Sequence, residues 1–299
     1  MKIKCSEQEL ILLRRIIMQS LPNLCFEDVG IIYNSTLLDN DHITKRVSNI
    51  PVRGDFFTEK IYLDFLDHNI DLIVNHVPTN IIARSFPTLV MKCYKKYDNQ
   101  RLDIVQEVTT NDCSFFVNDK EIPNPYPKDR AFKIVDLKYV SKEIVQHIEF
   151  IAQTKINIPF ISALYSIAET PVLKLESPAK EILIYPRNTK MKESDIIDYA
   201  IYTFSKKFQF LCDKLKGVKE SKGKIEFVND LYTMPVFIAR CLNENQDILM
   251  ASNTYDNMLN NVGYVTYVIK PSSKKSIYAI LKSVEKTFQL TQGLDSGKS

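Results

Sequence analysis

The stretch that most constrains this fold runs from residue 197 to 215. Ile197, Ala200, Ile201, Phe204, Phe208, Leu211 and Leu215 recur at helical spacing. They make one apolar stripe about five turns long. A stripe of that length must be covered by a partner helix or sheet, from this chain or another. Directly after it comes KGVKESKGK, residues 216–224, with two glycines and four lysines. That composition reads as a linker, taken as 217–224.

Past the linker the pattern is strand, helix, strand, strand, helix. Residues 225–228 are a short apolar strand, broken by Asn229 and Asp230. Pro235 suits the first turn of a helix. Met234, Ile238 and Leu242 form its stripe. Residues 248–251 and 262–269 read as strands, the second alternating Val and Tyr. A last helix carries Ile277, Ile280, Leu281, Val284 and Phe288. The first fifty residues show a comparable helix-then-strand order. Ser6 and Glu9 have the spacing of a capping box. Leu10, Leu13 and Ile17 form a stripe with Arg14 and Arg15 beside it, and Pro22 ends that helix. Residues 25–33 read as a strand with Val29, Ile31 and Tyr33 on one side. Residues 39–48 read as a short helix with Ile43 and Val47 inward. The middle is β-rich, with a helix expected at 56–69 and a strand at 72–77. The expected class is therefore α+β: helices packed on antiparallel sheets. The expected units are 1–54 with 170–216, a β-rich insert at 55–169, and 225–299.

Composition narrows function mainly by exclusion. With 299 residues, the length prior gives about two domains. A formal net charge of +3 is too small to argue a nucleic-acid partner by itself. No apolar run reaches the length of a membrane span. The opening MKIKCSEQELILLRR is a poor signal peptide because charges interrupt its apolar part. Six scattered cysteines without a C-x-x-C read as reduced, intracellular thiols acting as small apolar residues.

Nucleotide-binding and hydrolase loops, and the His-Glu-x-x-His zinc motif, do not occur. The best metal-like constellation is Asp64, Asp67, His68 and Asp71. On a continuous helix these share one face, and hard oxygen donors there suit a divalent cation. The competing reading is a solvated acidic face opposite Leu63, Phe65 and Leu66. Asp39-Asn40-Asp41 suits either Mg²⁺ or, more simply, a turn and helix cap. His42, His68, His76 and His147 have no triad or zinc spacing. Lys95-Lys96, Lys206-Lys207 and Lys274-Lys275 suit phosphates or solvated faces. Two function classes follow from these residues: a nucleic-acid-binding accessory protein using the lysine pairs, and a metal-dependent phosphotransfer enzyme using Asp64, Asp67 and Asp71.

A third class comes from resemblance. The run LRRIIMQSLPNLCFEDVGIIYNSTLLDNDHITKRVSNIPV resembles the opening of the alpha-type subunits of DNA-directed RNA polymerase. The matching residues are Leu13-Arg14-Arg15, Leu21-Pro22, Asn34-Ser35-Thr36, Asp39 to Asp41, and Arg46 to Pro51. The middle, with VTTNDCSFFVND, is similar to the insert of the eukaryotic third-largest subunit. Residues 173–215 are similar to its returning strands and long dimerisation helix. Residues 229–242, with the strands and closing helix after them, resemble the small eleventh subunit, although Asn229 to Val236 depart from its usual motif. Both halves in one chain resemble the fused alpha-like subunit of large DNA viruses, most of all the poxvirus version. The resemblance implies two alpha-subunit-like dimerisation modules, the first carrying the insert. It implies a non-catalytic assembly platform for the two largest polymerase subunits and other polymerase subunits. Contact with DNA would come only through the complex, without a membrane, in the host cytoplasm and the virion. The catalytic magnesium would belong to the largest subunit. The insert lacks the family's cysteine cluster, so no cofactor is carried over. The subunit-interface residues it suggests are Arg14, Arg15, Ile17, Arg46, Ile201, Phe204, Phe208, Leu211, Met234, Ile238, Leu242, Ile280, Val284 and Phe288.

Overall fold

The structure, a computed structural model, describes residues 6–52, 59–75, 88–100, 105–141, 143–174, 181–187, 191–230, 233–255 and 261–285. Phe288 and His76 lie outside that set. Helix α1 is Glu7–Gln19. Ser6 accepts a hydrogen bond from the Glu9 N–H at 3.3 Å, and Glu9 Oε2 accepts from the Ser6 N–H at 2.7 Å. The reciprocal pair satisfies two N–H groups that the helix itself leaves unpaired. Strand β1 (Asn23–Asn34) follows, then α2 (Asn40–Ser48), capped by Asp39, which accepts from the His42 N–H at 2.8 Å. Ile43 and Val47 are its buried residues, as their spacing predicts.

Helix α3 is Glu59–His68 and α4 is Ile70–Asn75. The strand expected at 72–77 is thus corrected to a helix as far as Asn75. Its β-branched run fits a buried helix as well as a strand. Packing of α4 on the long stripe-bearing helix and the strand after it decides the matter. At the break between α3 and α4, the Asn69 side-chain amide donates to the Phe65 carbonyl at 3.0 Å.

The strands that follow are β2 (Leu89–Lys96), β3 (Val105–Thr109), β4 (Cys113–Val117), β5 (Lys120–Ile122), β6 (Lys133–Lys138), β7 (His147–Asn157), β8 (Val172–Lys174) and β9 (Glu181–Leu183). Then come α5 (Glu193–Lys214), β10 (Lys222–Val228), α6 (Thr233–Asn243), β11 (Ile248–Tyr255), β12 (Val262–Ile269) and α7 (Ile277–Glu285). The class is mixed α+β, and the strands pair antiparallel. The larger sheet has the order β1-β7-β2-β4-β5 and the smaller β10-β12-β11; β3-β6 and β8-β9 are two-stranded. Between β4 and β5, Asn118 and Asp119 both adopt positive φ, 49° and 60°. A two-residue hairpin turn of the twist-matched kind needs that conformation, and Asn and Asp tolerate it.

β1 pairs with β7 along nearly its whole length. Backbone hydrogen bonds therefore cross the boundary expected at residue 54. The register shifts between Phe26 and Asp28 and again between Ile31 and Tyr33. Val29 and Ile31 pack inward as their alternation predicts. The second bulge makes Ile32 the extra residue and pairs Tyr33 with Glu149. Tyr33 therefore sits on the outer face, contrary to the simple alternation.

The stretch read as a linker is shorter than its composition suggests, because Lys222, Gly223 and Lys224 already pair with β12. Gly217, at φ +91°, follows the end of α5 in the conformation glycine adopts most readily there. A Cβ on Gly223 would lie 2.6 Å from Tyr267 Oη, so the buried Tyr267 ring needs glycine opposite it.

Candidate functional site

The helices of both halves meet in one apolar layer. α1 packs on α5 and α6, α5 packs on α7, and α6 packs on α7. Phe204 and Phe208 of α5 are fully buried, with ring centroids 6.1 Å apart. Phe204 meets Phe237 of α6 edge-on at 5.8 Å. Ile17, Ile201, Leu211, Met234, Ile238, Leu242, Ile280 and Val284 are buried as well. The stripes expected at an interface are thus covered within this single chain.

A polar clamp closes one end of the layer. Arg15 Nη1 donates to Thr233 Oγ1 at 2.7 Å, Nη2 to the Asn229 carbonyl at 3.3 Å, and Nε to Gln19 Oε1 at 2.8 Å. Its guanidinium lies 3.6 Å from Asp230. Asp230 in turn accepts from the N–H groups of Thr233 and Met234 at 2.8 and 3.1 Å, where an acidic group suits a helix start. Arg15 thus joins α1 to the beginning of α6, 218 residues away in the chain. Sequence reading placed Asn229 and Asp230 only as strand breakers. The signal for the rest was the three-residue spacing from Asp230 to Thr233, which is a capping spacing.

Beneath the clamp lies a cavity of about 50 Å³, lined by Leu12, Ile16, Lys207, Phe227 and Met234 among others. Lys207 donates to Ser20 Oγ at 2.8 Å. Burial pulls its pKa down, the Asp230 charge opposes that and Arg15 adds to it, leaving about 8. Arg14 lies elsewhere, donating from Nε to the Pro171 carbonyl at 2.9 Å.

Arg46 belongs to a different surface. Its Nη1 donates to the Ile134 carbonyl at 3.1 Å. It lines an open groove of about 440 Å³ with Asn49, Ile50, Phe132, Lys133 and Asp136. Lys133 bridges Glu107 at 2.8 Å and Asp136 at 2.9 Å, and both carboxylates raise its pKa. One lysine of each sequence pair is taken up by a carboxylate: Lys95 bridges Asp112, Lys206 bridges Asp67 at 2.7 Å, and Lys275 bridges Asp247.

The acidic constellation is divided. Asn69 interrupts the helix between His68 and Asp71, Asp67 is held by Lys206, and the His68 ring contacts the Asp64 carbonyl at 2.7 Å. The side chain of Asp71 lies outside the described set. Asp39 caps α2 and holds the His42 ring, also at 2.8 Å, which holds its carboxyl below the usual range. Among the described residues, no group of three or more His, Cys, Asp or Glu side chains is arranged to hold a metal ion. No described helix is long and apolar enough to cross a membrane. Burial pushes the thiols of Cys25 and Cys241 to about 12 and that of Cys212 to about 11. Thiols held protonated are poor nucleophiles. Compared with known proteins, the chain matches no family model and no curated protein.

Proposed function

We propose that this chain is a non-catalytic assembly-platform subunit of a viral multisubunit DNA-directed RNA polymerase, its two halves forming a fused alpha-type pair. One observation carries the reading furthest. Helices from both halves share a single apolar layer, with Phe204 of α5 against Phe237 of α6. A fused pair has this property, since it covers its own dimerisation stripes and needs no second copy. Arg15 and Asp230 reinforce the joint across its polar end. The two modules would then act as one body that holds the two largest subunits in register, in the host cytoplasm and in the virion.

In this reading the chain supplies position, not chemistry. The magnesium and catalytic carboxylates belong to the largest subunit. The open groove beside Arg46 and Lys133, where cationic groups stand next to Asp136, gives a large partner charges of both signs to align against. The test is affinity capture of the tagged chain from cells making the whole polymerase, followed by mass spectrometry. Recovery of two very large subunits in constant ratio to the chain is the expected result. Recovery without any polymerase subunit defeats the proposal.

A further inference from the structure

The bulge in β1 does more than break an alternation. By pairing Tyr33 with Glu149, it places the Tyr33 ring on the outer face of the larger sheet. There Tyr33 stacks on His147 with ring centroids 3.7 Å apart and planes within 4°. Tyr94 of β2 stands beside His147 at 6.2 Å, tilted by 52°. Lys96 holds its ammonium 5.5 Å from the Tyr94 ring centre, and Lys92 holds its own 4.6 Å from that of Phe116. Tyr33 is 46% exposed, Tyr94 57% and Ile32 57%. The loop between β6 and β7 carries exposed Tyr139, Val140 and Ile144, with Tyr139 6.1 Å from Tyr97 just past β2. Beyond their contacts with His147 and Lys96, Tyr33 and Tyr94 thus keep about half of their surface open. Exposed aromatic rings clustered as Tyr33 and Tyr94 are around His147 mark an interaction site.

Charge selects the occupant. Lys92 and Lys96 lie on one strand and one face, roughly 13 Å apart at strand rise. Neither has a carboxylate partner within ion-pair distance among the described residues. Glu149 faces the same side between Tyr33 and Tyr94. Two lysines against one glutamate leave the patch only weakly cationic, too little charge to hold a polyanion such as a nucleic-acid strand. It offers what protein interfaces concentrate: aromatic anchors with a few fixed charges around them. We infer that this face docks an extended protein segment of a neighbouring polymerase subunit, its apolar side chains on Tyr33 and Tyr94 and an acidic side chain at Lys96. The inference rests on the assembly-platform reading and adds a second contact surface, separate from the helix layer and from the Arg46 groove.

The test places a photo-crosslinking benzoyl-phenylalanine at position 94 in the assembled complex, and in a parallel preparation at position 49 beside Arg46. A cross-link from position 94 to an acidic stretch of a polymerase subunit is the expected result. Lys96→Glu should then lower the yield of that cross-linked species at least fivefold, while Lys96→Arg restores it. Cross-links from position 94 to nucleic acid alone overturn the inference. So does silence at position 94 when position 49 captures a subunit, an outcome that leaves the assembly-platform reading standing. If no polymerase subunit co-purifies at all, that reading falls and this one with it.

Discussion

The helix layer and the outer face of the larger sheet use the same residue types to opposite ends. In the layer, Phe204, Phe208 and Phe237 are enclosed by helices from both halves, and the polar groups at its edge are joined to each other. On the sheet, Tyr33 stacks on His147, Tyr94 leans on His147 and Lys96, and both tyrosines remain about half open. The difference teaches where stability and recognition are stored. Enclosed rings lose their contacts when cut, so their removal costs folding. Open rings lose little until a partner arrives.

The largest effect should come from the layer. Phe204→Ala removes a fully buried ring that packs on Phe208 of its own helix and edge-on against Phe237 of α6 in the other half. Truncation of such a ring costs about 3–5 kcal/mol. Urea unfolding of the isolated chain should show that loss directly. A loss under 1 kcal/mol would mean that the halves do not depend on one another, and the enclosed half of the comparison would break.

A smaller, pH-dependent effect belongs to Lys207. Its folded pKa of about 8 lies below the usual lysine value of 10.5 that it keeps in the unfolded chain. Between those two values the unfolded chain holds a proton that the folded chain has released, so this residue makes stability rise with pH across that window. Below pH 8 both states are charged and the full penalty is present. Lys207→Met removes the titration. The difference between wild type and variant should therefore shrink as pH goes from 8 to 10.5, with the variant about 1 kcal/mol more stable at pH 7. That figure allows for the partial exposure of the side chain and for the lost hydrogen bond to Ser20. Parallel denaturation curves at pH 7, 8, 9 and 10 check it, and a constant offset across all four would refute it.

Much of the enclosed region was legible in the sequence. The α5 stripe, the Ser6 and Glu9 capping box and the Ile43 and Val47 pair all follow from local spacing, and spacing is local information. What was not legible depends on contacts distant in sequence. Residues 72–75 read as strand because Leu72, Ile73 and Val74 suit one, and only α5 shows that they coil. Gly223 read as linker because its partner Tyr267 lies 44 residues later. The Arg15 to Asp230 clamp spans the whole chain. Tyr33 was assigned to the wrong face because one extra residue in β1 reverses every later side chain, and nothing in the strand's own sequence announces that bulge.

The smallest effect is the one that sharpens the comparison most. Tyr94→Ala removes a ring that is 57% exposed and touches His147 and Lys96 only at the surface. Surface substitutions away from caps, cores and networks stay within about 0.5 kcal/mol. The isolated chain should therefore unfold at the same urea concentration as wild type. The assembled complex should behave differently, because an aromatic anchor at an interface contributes through contacts made only on binding. Loss of a subunit from the complex with an unchanged unfolding curve would separate recognition from folding in one residue. Equal losses in both measurements would show Tyr94 to be a packing residue, and the sheet face would then join the layer on the enclosed side of the comparison.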